Sequence, residues 1–502
     1  MAIIGIDLGT TNSLVAELDS IGRPQIIRNT EGSNLTPSVV SFAAEGRAVV
    51  GQEAKNDMAW NGKDTFSKFK RDMGTSKKYK FDDGKEISPT ELSSFVLKKL
   101  KKDYEAHAGI AKGVVITVPA NFNNEAREAT LAAAKLAGIE TNYLLNEPTA
   151  AALYYANQSG KTLNGTYVVY DLGGGTLDIS VIRTKGDDIE VLSSEGIQKL
   201  GGEDFDQKII EIVSGKFENQ CGVKFNEVDF GFSKTEAEDL KRSLSSVQEK
   251  KIRLVGQNIN PTVISLTRSE FEESISSLIA QTVMMCETAL FEANLKVQDI
   301  DEVFLAGGSS RIPLVKKTLT EFFGKSPVVA GNPDEAIALG AAIYAGYKAD
   351  KESLNPLQTQ AVAGMKFQEI APHYFGTIIY KKETGVSKNI IIIKKNEKIP
   401  CKTTDQFYTI YDNQTAVSCT ITQSPQPESD PRFVRKIWEG DLELPPNRPS
   451  GQEISITYSY NENGTMHAEF LDVSSGKKTE VDINSQSLSN QTSLNINDFI
   501  VE

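Results

Sequence analysis

The sequence predicts a mixed α/β fold followed by an all-β part, on three observations. At 502 residues the chain is too long for one ordinary core and is expected to divide into roughly two to four domains. From Met1 to about Tyr347, short apolar runs alternate with amphipathic segments, as in YVVYDLGGG and DEVFLAGGSSRIPLVKKTL, which is how layered strands and helices read. Past Leu354 the helical periodicity stops and two-residue alternation replaces it.

The elements follow in order. In SPTELSSFVLKKLKKDYEAHA, Ser88 is placed to cap a helix, Pro89 suits its first turn, and Glu91 completes a capping box. Leu92, Phe95, Val96 and Leu100 then share one face. NPDEAIALGAAIYAGYK repeats the pattern with Asn332, Pro333 and Asp334. The passage NPLQTQAVAGMKFQEIAPHYFG is polar and punctuated by Gly and Pro, and reads as a linker. In ISITYSYNENGTMHAEF, Ile454, Ile456, Tyr458 and Tyr460 fall on one side of a strand. The chain turns at Asn463-Gly464 and returns through Met466, Ala468 and Phe470, a β-hairpin. The expected divisions are residues 1–355, a linker at 356–370, a β-rich part at 371–483, and a polar tail at 484–502 that is flexible or weakly docked.

Composition excludes several functions. The net charge of −13 provides no basic stripe for a phosphate backbone, so nucleic acid is not an expected partner. Cys221, Cys286, Cys401 and Cys419 form no CxxC pair, and His107, His373 and His467 lie far apart, so neither a zinc site nor a disulfide framework is expected. The start MAIIGID enters an apparent strand without a basic leader, and the most conspicuous apolar run, Ile390 to Ile393, is too short to span a bilayer. A cytoplasmic setting with no membrane partner is the expectation.

Two stretches carry the chemistry: IIGIDLGTTNS and YVVYDLGGGTLDIS. Each sets a carboxylate, Asp7 or Asp171, where a buried strand emerges. Small residues follow, Gly9, Thr10, Thr11 and Asn12 in one and Gly173, Gly174, Gly175 and Thr176 in the other, letting backbone N–H groups approach an anion. A lone Asp-Leu-Gly is usually only a tight turn. Two of them, one from each half of a duplicated domain, can close on a nucleotide, with Asp7 and Asp171 holding a divalent cation through its waters. No GxxxxGK[ST] and no GxGxxG is present, which excludes the P-loop and Rossmann alternatives. A further glycine turn, Gly307-Gly308-Ser309, lies between a strand and a helix beginning near Ile312, where it can bind another phosphate oxygen.

The motifs IDLGTTNS, NEPTAAAL, DLGGGTLDIS, LGGEDFD, DLKRSLSS and LAGGSSRIP, in this order, closely resemble the DnaK-type seventy-kilodalton heat-shock chaperones of the actin and sugar-kinase superfamily. The resemblance is strong to about Tyr347 and weaker through NIIIIKKNEKIP, DNQTAV and NENGTMHAEF. It implies a two-lobed, actin-like ATPase domain with a duplicated mixed-sheet core, a linker, and a β-sandwich that holds extended peptide. Position by position it implies that Lys70 is the catalytic lysine, that Glu147, Asp171 and Thr176 share the hydrolytic site, and that Asp7, Asp171 and Asp178 form a cluster for Mg²⁺ and K⁺. Thr10 and Thr11 serve the β- and γ-phosphates of ATP or ADP, with Gly201 and Gly202 of LGGEDFD nearby. Glu238, Lys241, Arg242 and Ser245 match the adenosine helix, Arg242 and Arg311 flanking the adenine and Glu238 and Lys241 reaching the ribose. Pro119 and Arg127 match positions that relay nucleotide state. Taken without the resemblance, Lys70 reads as one lysine of a solvated face, and the adenosine-helix residues read as an exposed face with a Glu238–Arg242 pair.

The function implied is ATP-dependent binding and release of unfolded or extended polypeptide, with a J-domain partner and an exchange factor. Three departures qualify it. The family's linker is leucine-rich whereas GMKFQE holds Lys366, Gln368 and Glu369, so weaker linker docking is expected. YKKETGVSKNIIII reads as a lengthened loop beside the peptide groove, and ITQSPQPESDPRFVRKIWEG differs almost throughout. The helical lid should follow TEVDI, where only residues 484–502 remain, so a lidless groove with fast peptide exchange is expected. The alternatives are a regulatory or co-chaperone module of the same fold without a full peptide cycle, or a small-molecule kinase or filament protein of the wider superfamily.

Overall fold

The computed structural model describes residues 3–502 apart from 44–45, 60–62, 112, 159–163, 187, 226–231, 256–259, 330, 462–463, 484–495 and 497–498. Two six-stranded sheets of similar plan organise its α/β part. In lobe I the strand Ile3–Asp7 runs parallel to Gly113–Val118 on one side and antiparallel to Asn12–Leu18 on the other. In lobe II the strand Asn164–Leu172 repeats the scheme, parallel to Glu302–Ala306 and antiparallel to Leu177–Lys185. Both leading strands are buried almost throughout because helices cover both faces of each sheet, which is why they read as continuous β-branched runs. Asp7 closes the first and Asp171 stands one residue before the end of the second, each leading into a tight return, with Asp7 opposite Leu14 and Asp171 opposite Asp178.

The helix signals are fulfilled where caps are local. Pro89–Ala108 starts on Ser88 with the complete Glu91 capping box, and Leu92, Phe95, Val96 and Leu100 are buried. The second expected start shifts: the helix is Ala336–Lys348, and Asn332 instead turns the chain, accepting from Asp334 N–H and donating to Glu335. Helix Arg268–Glu292 is long and apolar enough by length and composition to cross a membrane, a feature the search for short apolar runs passes over. Its Phe271, Ile275, Ile279, Cys286, Ala289 and Leu290 are buried in the lobe II core.

The β-rich part is a sandwich. One sheet orders Val386–Ile393, Tyr374–Lys381, Ala416–Ser424 and Arg435–Glu443; the other orders Cys401–Tyr408, Glu453–Tyr460, Met466–Asp472 and Lys478–Ile483. Ile454, Ile456, Tyr458 and Tyr460 face the shared core with Met466, Ala468 and Phe470, as alternation requires. Asn463 lies outside the described residues. The passage expected as a lengthened loop is two longer strands instead, paired as far as Lys381 and Val386.

The segment read as a polar linker is ordered. Pro356–Val362 is a helix capped by Asn355, and Lys366–Ile370 adds to the edge of the lobe II sheet parallel to Asp188–Glu190. Edge addition is a matter of backbone hydrogen bonds, so leucines are not required. Met365 and Phe367 face the core, Lys366 faces solvent, and Gln368 donates to Ile399 O at 2.7 Å. The end of the tail is docked too, with Ile500–Val501 pairing with lobe I.

Candidate functional site

A cleft of about 450 Å³ lies between the lobes where the two aspartate turns converge. They touch. A methyl group on Gly174 would stand 2.0 Å from Thr11 Oγ1, so only glycine lets the second turn close on the hydroxyls of the first. Two further turns brace them: Gly202 N–H donates to Gly173 O at 3.0 Å, and Ser309 Oγ donates to Gly173 O at 2.8 Å. Gly307 has φ +76° and passes so close to Asp171 that a Cβ would meet its Oδ1 at 2.5 Å.

Of the residues singled out in the sequence, Asp7, Gly9, Thr10, Thr11, Asn12, Lys70, Glu147, Asp171, Gly173, Gly174, Thr176 and Gly202 line this cleft. So do Glu238, Lys241, Arg242, Ser245, Gly307, Gly308, Ser309 and Arg311. Gly175, Gly201 and Asp178 do not line it. Gly175 packs on Thr10 and Gly201 on Gly174, so both support the turns from behind. Asp178 is fully buried behind Asp171, accepting from Ala120 N–H at 2.9 Å.

Electrostatics at the cleft floor are unbalanced. Lys70, carried on the turn Phe69–Asp72, is ion-paired to Glu147, and both are buried. Asp7, Asp171 and Asp178 are buried beside them, leaving four carboxylates around one ammonium. Burial, and then the Glu147 carboxylate, push Asp7 up to about 7. The same causes push Asp178 up to about 7 and Asp171 well above the usual carboxylate range. Burial opposes the charge on Lys70, but Glu147 and Asp7 outweigh it and its pKa rises. Asp171 Oδ1 and Asp178 Oδ2 are buried without a hydrogen-bond partner. Buried acids in excess, with unpartnered oxygens, fit added cations. Among the described residues no three acid, histidine or cysteine side chains converge to chelate a bare ion.

The rim is built from helix Lys234–Leu244 and the loop before Ala336. Lys241 pairs with Asp206 at 2.7 Å, and Arg311 with Asp334 at 2.9 Å. Glu238 does not pair with Arg242; it reaches across the cleft to Lys55 of helix Gln52–Ala59 at 2.8 Å. Lys55, Asp206 and Asp334 are not among the site residues drawn from the sequence, where Asp334 read only as part of a helix start. Asp206 sits inside LGGEDFD and could have been drawn from it, whereas nothing local marks Lys55.

Behind the cleft runs a second polar cluster. Arg127 donates to Asn146 Oδ1 at 2.6 Å and to Ala120 O at 3.3 Å. Asn146 and Thr149 donate to Glu369 of the linker strand at 3.2 and 2.8 Å. His373, at the sandwich entrance, meets Phe122 O at 3.2 Å through Nε2; burial, then Arg127, push its pKa down to about 3. Pro119 adjoins Ala120, whose N–H reaches Asp178, so the cluster runs from the cleft's acids to the linker.

A family model described as Hsp70 protein matches residues 3–500. Chaperone protein DnaK of Thermotoga neapolitana is 38% identical over 489 residues, covering 95% of this chain and 79% of that relative. Chaperone protein DnaK of Thermotoga maritima gives the same figures. That of Thermosipho melanesiensis is 38% identical over 488 residues, again 95% of this chain and 79% of the relative. With the duplicated lobes, the paired aspartate turns and the following sandwich, these matches place the chain in the Hsp70 family.

Proposed function

We propose that this chain is an ATP-dependent molecular chaperone whose cleft hydrolyses ATP to ADP and phosphate and whose sandwich binds unfolded or extended polypeptide. The turns at Gly9–Asn12 and Gly173–Thr176 present backbone N–H groups and hydroxyls to the phosphates. Arg242 and Arg311 bracket the purine, and Glu238 and Lys241 reach the ribose. Water attacks the γ-phosphorus in line; the new O–P bond forms as the bond to the β,γ-bridging oxygen breaks, and ADP leaves with that electron pair. Lys70 neutralises charge on the γ-phosphate, Glu147 holds Lys70 and helps to orient the water, and Asp171 accepts the water's proton on its unpartnered Oδ1. Mg²⁺ held through its waters by Asp7 and Asp171, with K⁺ beside the Asp7–Asp178 cluster and Thr176, would supply the remaining charge neutralisation.

The single observation that carries this reading is the contact of two duplicated aspartate turns over a floor with more acids than bases. The cluster Arg127–Asn146–Glu369 then links cleft to linker strand, so hydrolysis alters the sandwich's grip on peptide strands added to its edges. A J-domain partner, a nucleotide exchange factor and a cytoplasmic setting belong to the same proposal. ATPase kinetics with and without an unfolded peptide test it. We expect Mg²⁺-dependent turnover that the peptide accelerates. Tight nucleotide binding with no acceleration would favour a regulatory module, and no turnover at all would refute hydrolysis.

A further inference from the structure

The strand Arg47–Val50 of lobe I has a partner from far along the chain. Ile500 and Val501 lie parallel to Arg47 and Ala48. Glu502 N–H donates to Ala48 O at 3.0 Å, and Val50 N–H donates to Glu502 O at 3.0 Å. Ile496 and Val501 are 2% and 4% exposed and belong to the lobe I core. Phe499 meets Phe42 and Phe95 edge-on, 5.5 Å from each ring centre. From helix Pro89–Ala108, Lys98 Nζ donates to Ile496 O and Phe499 O at 3.4 Å, and Lys102 Nζ to Val501 O at 3.0 Å. An open sheet edge is thereby covered, with apolar side chains in the core and lysines on the carbonyls.

The covered strand leads through Gly51 directly into helix Gln52–Ala59, whose Lys55 spans the cleft to Glu238 of lobe II. The covering segment follows the sandwich's strand Lys478–Ile483 in the chain. We propose that Ile496 and Phe499–Glu502 form a strap tying the sandwich to the arm of lobe I that closes the cleft, so that the docked strap slows nucleotide release and its detachment speeds it. The physical reason is linkage. Pairing orders Arg47–Val50 and so steadies the helix from which Lys55 reaches Glu238; whatever favours the closed cleft then favours the docked strap by the same factor. The proposal rests on the cleft being a nucleotide site.

The test uses the full chain carrying Ile496→Asp and Val501→Asp, and follows dissociation of fluorescent ADP together with amide hydrogen exchange at Val50. We expect faster exchange at Val50 and ADP release faster by about fivefold. Added LNINDFIVE peptide should slow release again. Lys55→Ala should speed release by a similar factor, and the strap substitutions should add little to it, because both act through one contact. Faster exchange at Val50 with unchanged ADP release would overturn the linkage. Unchanged exchange would overturn strap docking, and effects that multiply in the combined variant would overturn the route through Lys55. Should the aspartate variant fail to fold, Lys98→Ala with Lys102→Ala loosens the strap without touching its apolar side chains, and is judged by the same readouts. Failure of the unaltered chain to bind ADP would instead strike the nucleotide reading, and the strap with it.

Discussion

The cleft floor and the joint beneath it are both buried polar clusters, yet they are opposites. At the floor, among the described residues, Asp7, Asp171, Asp178 and Glu147 surround the single ammonium of Lys70, and oxygens of Asp171 and Asp178 are left without partners. In the joint, Arg127, Asn146, Thr149 and Glu369 form a connected set of hydrogen bonds, and His373 is held neutral beside it. A cluster that completes its own bonds serves to fix geometry; one that does not is built for something that arrives. On the proposed function, the incomplete cluster is the binding site and the complete one transmits its state.

Breaking the floor should have the largest effect. Lys70→Ala removes the ammonium paired with Glu147 and should lower ATP turnover by about 10²- to 10³-fold, measured under single-turnover conditions, while ADP is still bound. Gly174→Ala should follow, with more than a tenfold loss of ADP affinity by calorimetry, because its methyl falls 2.0 Å from Thr11 Oγ1. Thr11→Ala in the same chain should recover part of that loss.

The joint should yield smaller, coupling-specific effects. His373 is a base whose pKa is depressed when docked, so docking is favoured at high pH and lost as pH falls through the undocked value near 6.5. From pH 7.5 to 5.5 the docking constant should fall by about tenfold, read as faster amide exchange in Lys366–Ile370. Glu369, whose carboxyl is pushed up by burial, responds in the opposite sense, so His373→Asn in parallel isolates the imidazole. Glu369→Ala should leave unstimulated ATP turnover nearly unchanged and reduce its acceleration by unfolded peptide by about fivefold. A fall in unstimulated turnover as large as that of Lys70→Ala would erase the distinction between the two clusters.

What was legible in the sequence is what short-range chemistry writes there. The Ser88 capping box, the alternation from Ile454 to Tyr460 and the two aspartate turns are each complete within a few residues, and each took the expected form. The site residues drawn from motifs converge on one cleft, apart from Gly175, Gly201 and Asp178, which stand just behind it. What was missed depends on partners far away in the chain. Lys55 is an ordinary helix lysine until Glu238 is brought opposite it. Lys366, Gln368 and Glu369 read as weaker linker docking because the partners of Glu369, Asn146 and Thr149, lie on other elements. The tail looked loose because its few apolar residues find their pocket only on lobe I. The Asn332 start failed for a local reason, since its side chain closes a turn instead of capping.

The most direct measurement is ADP affinity with Mg²⁺ and with the ion chelated, in the unaltered chain and in Asp171→Asn. If the acid-rich floor is a cation-dependent nucleotide site, Mg²⁺ should raise affinity by at least about a hundredfold in the unaltered chain, and most of that gain should vanish in the variant. Equal affinity with and without Mg²⁺, or a gain untouched by Asp171→Asn, would contradict it.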